Sequence, residues 1–167
     1  DKQRTKHVKT LNETTKPRSP RFNLRKTGLK ITTKTKKGYL MKGLERWHHV
    51  MEQSDMDALF DLLHPDCVFL SPVVHTPQEG RDITYAYLRA ANKALSEDFR
   101  YVREVVQGNH AILEFTVMVD GIFVNGVDMI TFENDQIVEF KVMVRPLKAV
   151  NAVWKQMGEM LERQKTA

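Results

Sequence analysis

Cysteine is nearly absent: Cys67 is the single one in 167 residues. An internal disulfide is therefore excluded, and the core alone must hold the fold. A lone thiol suits a reducing compartment, so a cytoplasmic location is expected. Long apolar runs are missing as well. The longest are short strand-like stretches such as Ala111–Val119. These fall well short of the roughly 18–20 residues needed to cross a bilayer as a helix. There is no internal repeat. Metal-ligand spacing is also lacking, because His64, Asp66, Cys67 and His75 do not form a recognisable pattern. Neither a metal nor another cofactor is expected.

Acidic residues are scarce at the front. Residues 1–42 hold fourteen Lys or Arg against Asp1 and Glu13, for a charge of +12. The remainder carries −7, so the overall +5 hides an acidic domain behind a basic leader. Any nucleic-acid contact is expected through the leader only. Pro17, Pro20, Gly28 and Gly38 interrupt it, and its apolar residues are too sparse to offset the entropy of ordering. The expected division is a basic extension at 1–41, disordered or loosely docked, and one domain at 42–165. Three readings of the extension stay open. It is an appendage without function, with Met41 as the native start. It is a targeting presequence, basic and poor in acids. Or it is a phosphate-binding arm with salt-sensitive affinity. With only Phe22 and Tyr39 as aromatics, it gives no sign of base stacking.

What the domain does contain is periodic, and 41% of the chain is apolar. Leu44, Trp47, Val50 and Met51 repeat at helical spacing. Ser54 is the expected N-cap of a second helix, with Asp57 as its capping partner and Met56, Leu59, Phe60 and Leu63 as its stripe. His64-Pro65 stops it, because proline disfavours helical geometry in the preceding residue. Residues 66–71 predict a strand closed by Pro72, and residues 73–80 a loop. Residues 82–95 predict a third helix with Ile83, Tyr87, Ala91 and Ala94 on one side. Four strands follow, at 99–106, 111–119, 122–132 and 136–144. Gly108-Asn109, Asp120-Gly121 and Asn134-Asp135 separate them, which predicts an antiparallel meander. Pro146 opens a last helix, with Leu147, Val150, Val153, Trp154, Met157, Met160 and Leu161 on one face. Helices before a curved sheet indicate an α+β domain.

Two runs carry a family resemblance: Leu62-Leu63-His64-Pro65-Asp66-Cys67-Val68-Phe69-Leu70-Ser71-Pro72 and Asp128-Met129-Ile130-Thr131-Phe132-Glu133-Asn134-Asp135-Gln136-Ile137-Val138-Glu139-Phe140. Over about residues 43–147 the chain resembles the nuclear-transport-factor-2-like superfamily, and within it the SnoaL-like group of polyketide cyclases, neighbours of the ketosteroid isomerases. The resemblance implies a cone-shaped, cystatin-like fold in which a strongly bent antiparallel sheet wraps three to four helices around a cavity. It also implies a homodimer through the outer sheet face. For function it implies a small-molecule pocket protein. As an enzyme it would be of isomerase, cyclase or lyase type, moving protons on a hydrophobic carbonyl compound without metal. The alternative is a non-catalytic binding or dimerisation module whose basic arm contacts an anionic partner.

Ketosteroid isomerases place a carboxylate base before a proline after the first strand, a Tyr on the first helix and a neutral Asp on a later strand. Matching positions here hold Ser71, Trp47 and Asp128. Serine without a partner base cannot take that proton, and an indole donates but does not exchange protons. Asp128 keeps the acid. Its strand parity groups it with Ile130 and Phe132, so it should face inward and be desolvated. Some polyketide cyclases of the superfamily use a single Asp as acid and base, and the resemblance extends that role to Asp128. The competing structural role is an Asp128 hydrogen-bonded to a neighbouring helix or accepting from Trp47.

His75, in the loop after the first strand, is the second candidate catalytic group. Trp47, Ser71, Tyr87, Phe115, Val117, Phe132, Phe140 and Val142 are the expected substrate walls, and they would serve equally as plain core. His48 and His49 point about 100° apart on a helix and cannot share a site. Cys67 is expected to pack inward and Arg145 to pair with an acid or a second subunit. Tyr101, with Arg100 and Arg103, is expected on an exposed strand face.

Overall fold

The computed structural model describes residues 42–165. Its elements run α1 (Lys42–Gln53), α2 (Met56–Leu62), β1 (Leu63–Leu70), β2 (Gln78–Glu79), α3 (Arg81–Ala94), β3 (Glu97–Gln107), β4 (His110–Val119), β5 (Ile122–Glu133), β6 (Gln136–Arg145) and α4 (Leu147–Lys165). The basic segment 1–41 lies outside the described residues. Four helices pack on one curved six-stranded sheet of order β2-β1-β6-β5-β4-β3.

The meander is antiparallel throughout, from β3 to β6. Its turns follow the residues that make them. Asp120 and Gly121 both take positive φ, as do Asn134 and Asp135, which is the two-residue turn whose twist matches its strands. In the third turn Gly108 has the positive φ. The sheet as a whole is mixed rather than antiparallel, because β1 runs parallel to β6. No hairpin links those two strands, so sequence periodicity carries no information on their direction. Their register slips between Leu63 and Val68. Pro65, which has no N–H to donate, falls in that gap.

Local chemistry shifts some boundaries. Asp55, not Ser54, caps α2: its carboxylate accepts from the Ala58 N–H at 2.9 Å. Ser54 instead turns the chain with φ 53°. The expected loop after β1 contains the two-residue strand β2, paired antiparallel with β1. On α3 the buried residues are Thr84, Leu88 and Ala90, while Ile83 faces out. On α4, Ala149, Ala152, Val153 and Met157 are buried, whereas Leu147 and Trp154 stand exposed at 75% and 64%. Small residues let α4 approach α3 and the sheet, and that rotates the larger ones outward.

Two apolar clusters form the core. One joins α1, α2 and β1 to the sheet through Leu44, Trp47, Leu59, Phe69, Leu88 and Phe140. The other joins α3 and α4 to the sheet through Ala90, Phe115, Val117, Val124, Val153 and Met157.

Candidate active site

A cavity of about 70 Å³ opens where the two clusters meet. The first cluster gives it Trp47, Phe69, Leu88 and Phe140; the second gives it Phe115, Val153 and Met157. Met51, Phe99, Val142 and Val144 complete the apolar walls, and Ser71, Pro72 and Val73 stand on the loop that leaves β1. Asp128 is the one acid on this wall.

Strand alternation puts Asp128 there. On β5, Val124, Gly126, Asp128, Ile130 and Phe132 are all buried, so the carboxyl group has apolar neighbours along its own strand. Gly126 allows the wall to form. It pairs across the ladder with Phe115, whose ring lies over it, and a Cβ on Gly126 would fall 2.2 Å from the ring tip. Any side chain there would displace the ring.

Burial pushes the Asp128 carboxyl up from the usual carboxylate range to about 7, and a hydrogen bond from Tyr101 partly offsets that rise. Tyr101 donates its O–H to Asp128 Oδ2 at 2.8 Å. Trp47 in turn donates Nε1–H to the Tyr101 oxygen at 3.0 Å. An indole is a donor only, so the phenol accepts from it, and toward ionised Asp128, which has no proton to give, the phenol donates. With Asp128 ionised the chain therefore runs Trp47→Tyr101→Asp128. Burial, with the Asp128 carboxylate next, holds the Tyr101 phenol well above its ordinary range, so it stays a donor. His48 packs edge-on against the Tyr101 ring, with centroids 5.9 Å apart, and pairs through Nε2 with Glu104 at 2.8 Å. These contacts tie α1 to β3 beside the site.

Tyr101 is thus not on an exposed strand face. Its ring turns inward against Phe99 because β3 shifts register between Tyr101 and Arg103. Simple alternation fails across such a shift. A lone tyrosine among Val and Arg residues was the available signal, since a buried phenol needs a partner.

The other sequence candidates separate clearly. Trp47, Ser71, Phe115, Phe140 and Val142 stand on the cavity wall with Asp128. Tyr87, Val117 and Phe132 do not. Tyr87 packs on Phe69 with centroids 5.2 Å apart, and Val117 and Phe132 are buried in the two core clusters. His75 is exposed and off the wall. Ser71 Oγ accepts from the backbone N–H groups of Val73 and Val74 at 3.2 and 3.3 Å, which shapes the mouth loop. Cys67 is fully buried on β1 away from the cavity, and burial pushes its thiol up, so it packs as an apolar residue. Ala91 and Asn92 of α3, and Leu95 at its C-cap, are wall residues that sequence reasoning missed. Among the described residues, no three His, Cys, Asp or Glu side chains converge as a metal site.

The SnoaL-like domain family matches residues 44–140, from α1 to the middle of β6. The chain belongs to that family. Solved structures agree. A steroid delta-isomerase from Pseudomonas aeruginosa is 35% identical, with a TM-score of 0.73 over 77% of this chain and 97% of its own. A bacterial protein with a cystatin-like fold from Silicibacter pomeroyi is 30% identical, with a TM-score of 0.67 over 72% and 85%. A nuclear-transport-factor-2-like protein of unknown function from Mesorhizobium loti shares the fold at 24% identity and a TM-score of 0.57, over 63% and 89%. No curated protein matches the sequence. In this SnoaL-like domain the family match ends before α4, so α4 adds Val153 and Met157 to the cavity from outside the matched region. Among the described residues no helix is long and apolar enough to cross a membrane.

Proposed function

We propose that this SnoaL-like domain moves a proton on a small hydrophobic carbonyl compound held in the cavity, with Asp128 as both acid and base. The observation that carries this is a buried carboxyl on an apolar wall, anchored through one oxygen by Tyr101 and raised to about 7. A group titrating there exists in both forms near neutrality, which is the condition for taking a proton and giving it back. In the forward step, ionised Asp128 removes a proton from the carbon beside the carbonyl, and the electron pair of that C–H bond moves toward the carbonyl oxygen as an enolate. In the return step, protonated Asp128 delivers the proton to carbon, at the same position or a conjugated one. The apolar wall keeps water from the enolate. Likeness to a structure described as a steroid delta-isomerase supports chemistry beside a carbonyl. Ser71 before Pro72 argues against the two-carboxylate form of it, and the cavity volume favours compounds smaller than a steroid.

The test is deuterium exchange from solvent into the positions beside the carbonyl of cyclohexanone and of the bicyclic decalone, followed by NMR. The expected result is enzyme-dependent exchange that falls about 100- to 10,000-fold in Asp128→Asn. Exchange that survives that change unreduced would sink the assignment. His75, exposed and off the wall, takes no part in this reading.

A second reading concerns assembly. Val102, Val105, Phe123 and Met143 are each more than half exposed, and the Phe123 and Met143 side chains lie on the sheet face away from the helices. Exposed apolar side chains on an outer sheet face suit an interaction surface. We take its occupant to be a second copy of the chain, giving a homodimer. Residues 1–41 remain the candidate for any contact with an anionic partner, and the buried free thiol of Cys67 supports a reducing, cytoplasmic setting.

A further inference from the structure

The donor chain at Asp128 leaves one requirement of the proposed reaction unmet. An enolate oxygen forming in an apolar cavity needs a hydrogen-bond donor aimed at it. Trp47 Nε1–H is spent on Tyr101, and the Tyr101 O–H is spent on Asp128. Ser71 Oγ accepts from two backbone N–H groups of the mouth loop, which holds its oxygen at the cavity mouth and leaves its own O–H unassigned. Asn92 is the polar side chain on the wall set among the apolar residues of α3. It lies on α3 between Leu88 and Leu95, four residues after one and three before the other. That spacing places it on the same stripe, which faces the cavity. It is half-buried, and its amide makes no side-chain hydrogen bond among the described residues. Its N–H groups are therefore open to a ligand oxygen at the cavity wall.

We propose that the Asn92 amide donates to the carbonyl oxygen of the bound ligand while Asp128 works on the adjacent carbon. This rests on the reading of Asp128 as acid and base, and it specifies the ligand further. The ligand is an apolar compound whose carbonyl oxygen is directed at α3 and whose exchangeable C–H is directed at β5. Charge balances. Negative charge leaves Asp128 as it gains the proton, appears on the oxygen, and is held there by the Asn92 N–H until the proton returns.

Infrared spectroscopy of carbonyl-carbon-13 cyclohexanone bound to the protein reads this contact without turnover. In the wild type and in Asp128→Asn, the bound carbonyl stretch is expected below its value in an apolar solvent. In Asn92→Leu it is expected to return to the apolar-solvent value, and deuterium exchange is expected to fall about 100-fold or more. Asn92→Met serves as a second variant should leucine disturb α3. An unlowered band in the wild type, or a lowered band that persists in both Asn92 variants, overturns the assignment. A lowered Asn92-dependent band with no dependence of exchange on Asp128 overturns the Asp128 reading and leaves the Asn92 contact standing.

Discussion

The two faces of β5 are built from similar residues and meet opposite fates. Inward, Val124, Gly126, Asp128, Ile130 and Phe132 are buried; outward, Phe123 is exposed, and Asn125, Val127, Met129 and Thr131 are half-covered. Each face holds mostly apolar side chains and a few polar ones. What separates them is cover. Helices close over the inner face and strip water from Asp128, whose carboxyl rises to about 7. On the outer face of β4, Glu114 keeps water and partners, pairing with Arg103 at 3.3 Å and accepting from Asn125 at 3.1 Å. Hydrophobic content therefore does not mark the site. A carboxyl group placed where no cation answers it does.

The contrast can be broken most strongly by pH. A carboxyl whose folded pKa lies above its unfolded value favours the folded state when protonated. Its contribution is full below about pH 4, declines as pH rises toward 7, and levels off above that. At about 1.4 kcal/mol per pH unit, folding should lose roughly 4 kcal/mol across the window. Asp128→Asn should remove this slope, and urea unfolding at intervals from pH 4 to pH 8 checks both chains. Tyr101→Phe comes next. It strips a partner from both Trp47 Nε1–H and Asp128 Oδ2, at an expected cost of about 1–3 kcal/mol. Because the Tyr101 bond holds the carboxyl down, the rising acid limb of the exchange reaction, which follows ionisation of Asp128, should also move to higher pH. A move to lower pH would contradict the donor chain.

Gly126→Ala tests the wall. Its methyl group should push the Phe115 ring into the cavity, costing about 1–3 kcal/mol and weakening decalone binding more than cyclohexanone binding. Calorimetric titration of the two ketones measures the difference. The smallest effect on stability belongs to the outer face. Phe123→Glu should change unfolding of the monomer by no more than about 0.5 kcal/mol, yet shift sedimentation from dimer to monomer. An unchanged sedimentation coefficient would overturn the proposed dimer through this face.

Much of the inner face was legible in the sequence. Alternation on β5 put Asp128 among Ile130 and Phe132, and the turn pairs Asp120-Gly121 and Asn134-Asp135 located the hairpins to the residue. Both are local signals, which a period or a dipeptide carries in full. Tyr101 was lost because β3 shifts register beside it, and a count by twos inverts across such a shift. Asn92 was lost because α3 reads as amphipathic with either of two neighbouring stripes inward, and contact with α4 chooses between them.

By itself, then, the sequence determined the contrast in charge between residues 1–42 and the rest, the order of the elements apart from the short strand β2, and the inward parity of Asp128. Each follows from composition or from periodicity within one element. Tertiary structure alone decided that β1 lies parallel to β6, and that α4 turns Trp154 outward while Val153 and Met157 line a cavity. It alone joined Trp47, Tyr101 and Asp128 into one directed chain. Those hydrogen bonds link residues 27 and 54 positions apart, and no local pattern encodes which distant partner will be there to take a proton.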